Sequence, residues 1–209
     1  MLASPVRADA GARYIALTFD DGPSGRFTRR LLDGLEARGV KATFLLCGYR
    51  VKDYPREAER IAAEGHEIGL HGYSHNPMNT MTESQVATEI RKTAALLPGG
   101  MVFLRPPGGQ YNDATLAVAR NAGLAILSWS LDPKDWACDD ADTITARVVE
   151  KAKDGDVILL HDMSDSSVTA ALRILDRLES KGFRFVTVSE LAQIKGIKLE
   201  PGKVYNQFP

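Results

Sequence analysis

The sequence predicts an α/β fold, a distorted or incomplete (β/α) barrel with about seven parallel strands. Seven short apolar runs alternate along the chain with seven segments of helical periodicity. Connections of this kind favour a parallel sheet that is covered by helices. The chain has 209 residues, whereas a full eight-unit barrel usually takes about 250. We therefore expect the barrel to be incomplete or distorted.

A doubly wound open sheet is the competing architecture, and the first loop argues against it. Such a sheet would carry a glycine-rich phosphate loop after its first strand. Here residues 20–25 read DDGPSG, which is acidic and unsuited to a phosphate group. The barrel is therefore the preferred prediction.

Short apolar runs predict the strands. Runs such as YIALTF at 14–19 and DVILL at 156–160 have the length and composition of strands that are buried on both faces. In chain order, the predicted strands are residues 14–19, 42–46, 66–70, 101–104, 124–130, 156–160 and 183–186.

Helical spacing, caps and stops predict the helices. The leucines of the first helix recur at helical spacing before a stop at Gly39, and the second helix has Pro55 in its first turn and Gly65 after its end. Thr82 and Gln85 have the spacing of a capping box and open the third helix. In chain order, the predicted helices are residues 27–38, 55–64, 82–97, 112–121, 141–153, 166–181 and 189–194.

The chain is expected to form one domain, because no linker rich in proline, glycine or serine divides it. We expect an N-terminal extension at 1–13, the folded domain at 14–195 and a surface tail at 196–209, with a short extended piece near 203–205. No apolar run reaches the roughly 18 residues that a membrane-spanning helix needs. Residues 1–11 also lack the apolar stretch of a signal peptide, so the protein is either cytosolic or has lost a leader.

The charge balance and the cysteine count exclude several classes of function. Lys and Arg number 26 and Asp and Glu number 27, a net charge of -1. There is thus no basic surplus to bind nucleic acid or an anionic membrane surface. Cys47 and Cys138 are too few for a zinc cluster or a disulfide framework. We expect two unpaired thiols, with a single bridge as the alternative.

Polar side chains fall just after the ends of the predicted strands. They are Asp20 and Asp21 after the first strand, His71 and His75 after the third, Arg105 after the fourth, Asp132 and Asp135 after the fifth, and His161 after the sixth. In a parallel barrel those strand ends gather on one face, where the catalytic groups of such folds lie. His66 starts the third strand, on the opposite face, and we expect it to be structural.

Two histidines and a carboxylate at these strand ends form a candidate metal site. His71 and His75 have a spacing that lets both imidazoles bind one cation, and adjacent carboxylates at a strand end point in different directions. Such a set holds a hydrolytic zinc or a redox iron. A plain turn at Asp20 and Asp21 and two solvated loop histidines are the structural alternatives. The spare carboxylate and His161 favour hydrolysis, because they supply a base and an acid.

Five segments together resemble a known family. They are TFDDGP at 18–23, HGYSH at 71–75, RPPGG at 105–109, DPKDW at 132–136 and LLH at 159–161. In this order they are similar to the motifs of the NodB-homology polysaccharide deacetylases, carbohydrate esterase family 4. The resemblance covers 14–195, which makes that segment the expected catalytic domain, and it implies a distorted (β/α) barrel.

The resemblance implies a divalent metal, usually zinc, and the groups that act around it. Asp21, His71 and His75 would be its ligands. Asp20 would be the general base that activates a water molecule, and His161 would be the general acid that protonates the departing amine.

The resemblance also implies a set of supporting residues. Arg105 would orient Asp20 and balance its charge, and Asp135 would hold His161 and keep it protonated. Trp136 and Leu159 would line the pocket for the acetyl methyl group, and the backbone N–H of Gly108 would stabilise the oxyanion.

One position departs from the family pattern. The family commonly has Ser or Thr directly after the first metal histidine, but this chain has Gly72. It therefore lacks a hydroxyl that could act as a partner of the metal ligands there. Six residues are candidates for a sugar groove, with an ordinary core or loop role as the alternative: Tyr49, Tyr73, Asn76, Met78, Tyr111 and Trp129.

The expected activity is metal-dependent removal of acetyl groups from an N-acetylated polysaccharide. Peptidoglycan N-acetylglucosamine is the first substrate expected, followed by chitooligosaccharides. The alternatives are an acetyl xylan esterase, a two-histidine, one-carboxylate iron oxygenase and a non-catalytic glycan-binding module. The enzyme is expected to be a monomer. Action on cell-wall glycan implies a secreted or cell-surface protein whose leader is absent from this chain, with a cytoplasmic location as the alternative.

Overall fold

A computed structural model describes residues 11–209. The extension expected at 1–13 therefore falls almost wholly outside the described residues. The described part contains eight strands, all paired in parallel. They are β1 (Arg13–Asp20), β2 (Thr43–Leu46), β3 (Glu67–Leu70), β4 (Phe103–Leu104), β5 (Ala125–Leu127), β6 (Val157–His161), β7 (Phe183–Phe185) and β8 (Val204–Tyr205).

The strands curl into a distorted barrel, as the alternating pattern predicts. Their order is β6-β1-β2-β3-β4-β5-β8, and β7 pairs with the first residues of β1. The segment after β5 no longer pairs with β8 and instead approaches β6. There the Ser130 N–H donates to the Val157 carbonyl at 3.0 Å, and Leu131 forms a β-bridge with Ile158. This crossing ends β5 at Leu127, earlier than the run 124–130 predicts. The distorted (β/α) barrel is thus confirmed.

Eight α-helices of the described chain surround the sheet, and seven of them match predicted segments. They are α1 (Arg26–Glu36), α2 (Gly48–Asp53), α3 (Pro55–Ala63), α4 (Glu83–Ala94), α5 (Asp113–Asn121), α6 (Ala141–Val149), α7 (Asp165–Ser180) and α8 (Val188–Ile194). Thr82 and Gln85 form the expected capping box before α4. The sequence does not reveal α2, because its six residues are too few to show a helical period.

The core lies between the sheet and the helices that cover it. Phe19 of β1 and Phe44 of β2 are fully buried and stack with ring centroids 5.3 Å apart. Leu31 and Leu35 of α1 and Ile174 of α7 are also fully buried in this cluster. Each such side chain contributes roughly 1.5–3 kcal/mol by leaving water. Within residues 11–209, no helix is both long enough and apolar enough to cross a membrane.

The C-terminal segment is not a surface tail, contrary to the expectation for 196–209. Val204 and Tyr205 form β8 beside β5, which matches the short extended piece expected there. Phe208 is fully buried, stacks on Tyr205 with ring centroids 5.7 Å apart, and its N–H donates to the Gly155 carbonyl at 2.8 Å. A two-residue strand carries no periodic signal, so the sequence does not show this packing. Cys47 and Cys138 are free thiols.

His66 is buried just before β3, at the end of the barrel opposite the polar strand ends. The Ala42 N–H donates to its Nδ1 at 3.2 Å, and its ring meets Phe44 edge-on at 5.3 Å between centroids. Protonation of Nδ1 would break the bond from Ala42. Burial and the charge of Lys41 lower the pKa of His66 from 6.5 to about 4, although Glu64 opposes the shift. His66 is therefore neutral in the folded protein at neutral pH.

His66 should make the fold sensitive to mild acid. The unfolded chain binds a proton at this side chain near pH 6.5 and the folded chain only near pH 4. Stability is therefore lost as the pH falls through that window, by roughly 3 kcal/mol. His66→Asn keeps an acceptor for Ala42 but does not titrate, so it should lose less stability between pH 7.5 and 4.5. Urea unfolding at both pH values measures the difference, and equal losses in both proteins would refute this role.

Candidate active site

The ends of the parallel strands bring the predicted polar residues together. Asp20 is the last residue of β1 and lies opposite His161 in the β1–β6 ladder. The His71 N–H donates to the Leu46 carbonyl at the end of β2, and the Arg105 N–H donates to the Leu70 carbonyl at the end of β3, both at 2.9 Å. These backbone bonds fix the residues at one edge of the sheet.

Asp21, His71 and His75 form a compact cluster at this edge. Each offers one donor atom, and the three atoms lie within 4.8 Å of one another. Asp21 Oδ1 is 3.2 Å from His71 Nε2 and 2.9 Å from His75 Nε2. Asp21 and His75 both have positive φ angles, 70° and 59°, in a region that residues other than glycine seldom adopt. The two strained turns aim these side chains at a common point.

The donor set fits a divalent cation. His71 Nδ1 lies 2.7 Å from the Arg105 carbonyl, which can only accept, so Nδ1 carries a hydrogen and Nε2 is the nitrogen whose lone pair a cation can bind. That lone pair faces Asp21 Oδ1, a buried atom without a hydrogen-bond partner. A divalent cation held between these two atoms would accept both lone pairs. Two histidines and a carboxylate are typical ligands of zinc.

The charge state of Asp21 suits the same role. Burial by itself raises the pKa of Asp21, but the close approach of the imidazoles of His71 and His75 outweighs burial and holds the pKa of Asp21 well below its usual range. Asp21 is therefore ionised at neutral pH and can act as an anionic ligand.

Asp20 is buried and is held by Arg105. Arg105 Nη1 donates to Asp20 Oδ1 at 2.6 Å and to the Thr18 hydroxyl at 2.8 Å. Its other nitrogens donate to the carbonyls of Leu127 and Ser128. The guanidinium itself is fully buried. With Oδ1 so engaged, Oδ2 of Asp20 faces the cluster, 3.7 Å from His71 Nε2.

His161 forms a pair with Asp135. Its Nδ1 lies 2.8 Å from Asp135 Oδ1, and its backbone N–H donates to Oδ2 of the same carboxylate at 2.8 Å. Its Nε2 then points toward Asp21, with Oδ2 4.0 Å away. Burial lowers the pKa of His161, but the hydrogen bond and charge of Asp135, helped by Asp20 and Asp21, outweigh burial and raise it to about 9. The imidazole is therefore protonated at neutral pH.

These groups share a cavity of about 450 Å³ at the mouth of the barrel. Its lining consists of Asp20, Asp21, His71, His75, Gly108, Trp129, Asp132, Trp136, Leu159 and His161. Gly108, Trp136 and Leu159 thus lie where substrate contacts are expected. Tyr111 does not line the cavity, and its side chain is exposed. Trp136 is 65% exposed and stands at the rim.

Some parts of the site are not evident from the sequence. Thr18 lies two residues before Asp20 on the same strand, so the two side chains point to the same face of the sheet. This spacing is the sequence signal that could have placed Thr18 near Asp20 and Arg105. Asp132 lines the cavity but has no role predicted from the sequence. Glu89 contacts the loop that carries both histidines, yet in the sequence it looks like an ordinary charged residue of an amphipathic helix.

Comparison with known proteins gives a consistent result. A family model described as polysaccharide deacetylase matches residues 7–127. A peptidoglycan-N-acetylglucosamine deacetylase of Bacillus cereus is 38% identical over 191 residues, covering 88% of this chain and 90% of that protein. A chitooligosaccharide deacetylase of Sinorhizobium fredii is 35% identical over 195 residues, covering 85% of this chain and 91% of that protein.

A solved structure extends the similarity to the whole fold. The family 4 acetyl xylan esterase of Clostridium thermocellum, in complex with a cobalt ion, superposes with a TM-score of 0.87 at 33% sequence identity. The match covers 94% of this chain and 100% of that chain.

Proposed function

Because the chain belongs to the polysaccharide deacetylase family, carbohydrate esterase family 4, we propose that it hydrolyses the N-acetyl groups of peptidoglycan N-acetylglucosamine. The observation that carries the proposal is that Asp20 and His161 line one cavity together with the cluster of Asp21, His71 and His75. Such an arrangement places a base and an acid around a point where a cation can bind. Chitooligosaccharides are the second substrate class proposed.

Asp21, His71 and His75 would hold the cation, for which we propose zinc. When bound, such a cation acts as a Lewis acid and lowers the pKa of a water molecule from about 15.7 to about 7. The cobalt ion in the acetyl xylan esterase supports a divalent metal in this family. The unpartnered Asp21 Oδ1 supports the same assignment in this chain.

Asp20 is proposed as the general base. Arg105 occupies its Oδ1, so its Oδ2 is the oxygen that takes the proton of the attacking water. The buried guanidinium also fixes the rotamer of the carboxylate, so little reorganisation is needed when the proton moves. The backbone N–H of Gly108, in the lining of the same cavity, is proposed to stabilise the negative charge that develops on the acetyl oxygen.

His161 is proposed as the general acid. The bond to Asp135 fixes Nδ1 and leaves the proton on Nε2 for the departing nitrogen. An amide nitrogen leaves only after protonation, whereas an ester oxygen can leave with a weaker donor. The raised pKa of His161, about 9, keeps the imidazole protonated at neutral pH, so the proton that the departing nitrogen of an N-acetyl group needs is in place.

The cavity supports a glycan substrate. Trp136 and Leu159 are two members of its lining with apolar surface, and they suit the acetyl methyl group. The exposed ring of Trp136 gives a flat face on which a sugar can pack. If the substrate is cell-wall glycan, the protein acts outside the cytoplasm, and we propose a secreted or cell-surface monomer.

The proposed activity should appear as acetate release. We expect acetate from N-acetylated peptidoglycan strands and from chitooligosaccharides at higher rates than from acetyl xylan. A chelator should reduce the rate to background, and added Zn²⁺ should restore it, because the cluster loses its cation and then regains it. Enzymatic quantification of acetate measures the rates.

Three outcomes would contradict the proposal in different ways. A higher rate on acetyl xylan would indicate an esterase. Tight glycan binding without acetate release from any substrate would indicate a binding module. Bound iron and a requirement for molecular oxygen in anaerobically purified protein would indicate an oxygenase.

A further inference from the structure

We infer that Glu89 is a positioning residue that sets the placement of His75 and thereby the affinity of the cluster for a divalent cation. The inference rests on the proposed function, since it concerns the cation site on which that function depends. Glu89 lies on α4, outside the cavity and outside all the motif segments of the sequence.

The carboxylate of Glu89 binds the loop between the two histidines. Its Oε2 accepts from the backbone N–H of Tyr73 at 2.8 Å, from the N–H of Ser74 at 2.7 Å and from the Ser74 hydroxyl at 2.9 Å. Glu89 thus satisfies both backbone donors in the middle of the loop.

The loop is held from two sides. Opposite Glu89, the N–H groups of Gly48 and Tyr49 at the start of α2 donate to the carbonyls of Gly72 and Tyr73 at 2.9 and 3.0 Å. On the side of α4, Val86 and Ile90 are buried in the core and fix the helix that carries Glu89. The loop therefore takes its position from two packed helices.

The two histidines depend on this loop to different degrees. The side chain of His71 is 2% exposed and its Nδ1 is bound to the Arg105 carbonyl, whereas the side chain of His75 is 41% exposed. His75 also has a φ of 59°, an unfavourable conformation that persists only when neighbouring contacts enforce it. Loss of the bonds to Glu89 should therefore release His75 while His71 stays in place.

Gly72, which stands where the family commonly has a hydroxyl side chain, lies next to Glu89. Its φ is 77°, and an added Cβ would lie 3.0 Å from Met78 Cε and 3.3 Å from Glu89 Oε2. A residue with a hydroxyl side chain would be strained and crowded at this position. The hydroxyl that binds to Glu89 instead comes from Ser74.

Cobalt titration tests the inference without using activity. The visible absorption of added Co²⁺ gives its dissociation constant for the unsubstituted chain, Glu89→Ala and Glu89→Gln. Glu89→Ala should weaken Co²⁺ binding by about 10–100-fold, the usual effect of losing a partner behind the ligands. Glu89→Gln should recover part of that loss, because its amide oxygen still accepts from the loop without the charge. Glu83→Ala removes an exposed carboxylate from the same helix and should leave the affinity unchanged.

The outcomes separate this inference from the proposed function. Failure of the unsubstituted chain to bind Co²⁺ would refute the cation site and the inference with it. Tight binding in the unsubstituted chain and equal affinity in Glu89→Ala would refute the positioning role alone. Thermal unfolding of the proteins in the presence of a chelator shows whether Glu89 serves only the stability of the fold. A lower melting temperature of Glu89→Ala with an unchanged Co²⁺ affinity would also overturn the inference.

Discussion

Replacing Asp20 with Asn is expected to lower kcat by about 10²–10⁴-fold, the usual contribution of a general base, while Co²⁺ or Zn²⁺ still binds. The amide has nearly the same shape as the carboxylate but cannot take a proton from water. Metal binding should persist because Asp20 does not belong to the compact cluster of Asp21, His71 and His75. Acetate release under substrate saturation, with a parallel metal titration, measures both quantities.

The substitution also changes stability, so its control must be chosen accordingly. Arg105 is fully buried, and loss of its carboxylate partner costs about 3–5 kcal/mol in typical buried pairs. Assays must therefore run well below the melting temperature of the variant. Asp176→Asn makes the same chemical change in an arginine-paired aspartate at the surface and should leave kcat unchanged. A nearly normal rate for Asp20→Asn with metal bound would show that another group is the base.

Removal of a cluster ligand should instead lower the affinity for the metal. Asp21→Asn and His75→Ala should weaken Co²⁺ binding by more than about 100-fold, since direct ligands matter more than the residues behind them. Activity at limiting metal should fall in parallel. His75 is the better histidine to replace, because His71 is almost fully buried and its loss would leave a cavity.

A matched substitution on the same cavity serves as the control for metal affinity. Asp132→Asn changes a carboxylate that lines the cavity but lies outside the compact cluster. Its Oδ1 only accepts from the Lys134 N–H, which an amide oxygen can also do. Co²⁺ affinity should therefore be unchanged in Asp132→Asn. Equal losses of Co²⁺ affinity in Asp132→Asn and Asp21→Asn would mean that the negative charge of the cavity as a whole, rather than ligation by Asp21, attracts the cation.

Much of this site could be predicted because parallel strands end on one face. Asp20 and His161 are far apart in sequence but face each other across β1 and β6, and apolar runs suffice to place both at strand ends. The histidine spacing and the family resemblance then indicate a cation site. The sequence alone therefore predicts which residues meet, although not their distances.

Features that depend on the docking of elements could not be predicted. The family resemblance implies the contact between Arg105 and Asp20, but not the bonds that the guanidinium also makes to the carbonyls of Leu127 and Ser128, which depend on where β5 ends. The contact between Glu89 and the histidine loop depends on how α4 packs, because its sequence pattern only separates an apolar face from a polar one. Phe208 is buried through contacts of a very short strand, which no periodicity reveals.

Anomalous diffraction from crystals soaked in Zn²⁺ tests the central claim most directly. We predict one strong peak per chain at the barrel mouth, in contact with the Asp21 carboxylate and with Nε2 of His71 and His75. A peak that contacts other side chains, or no peak at this cluster at a saturating Zn²⁺ concentration, would contradict the account.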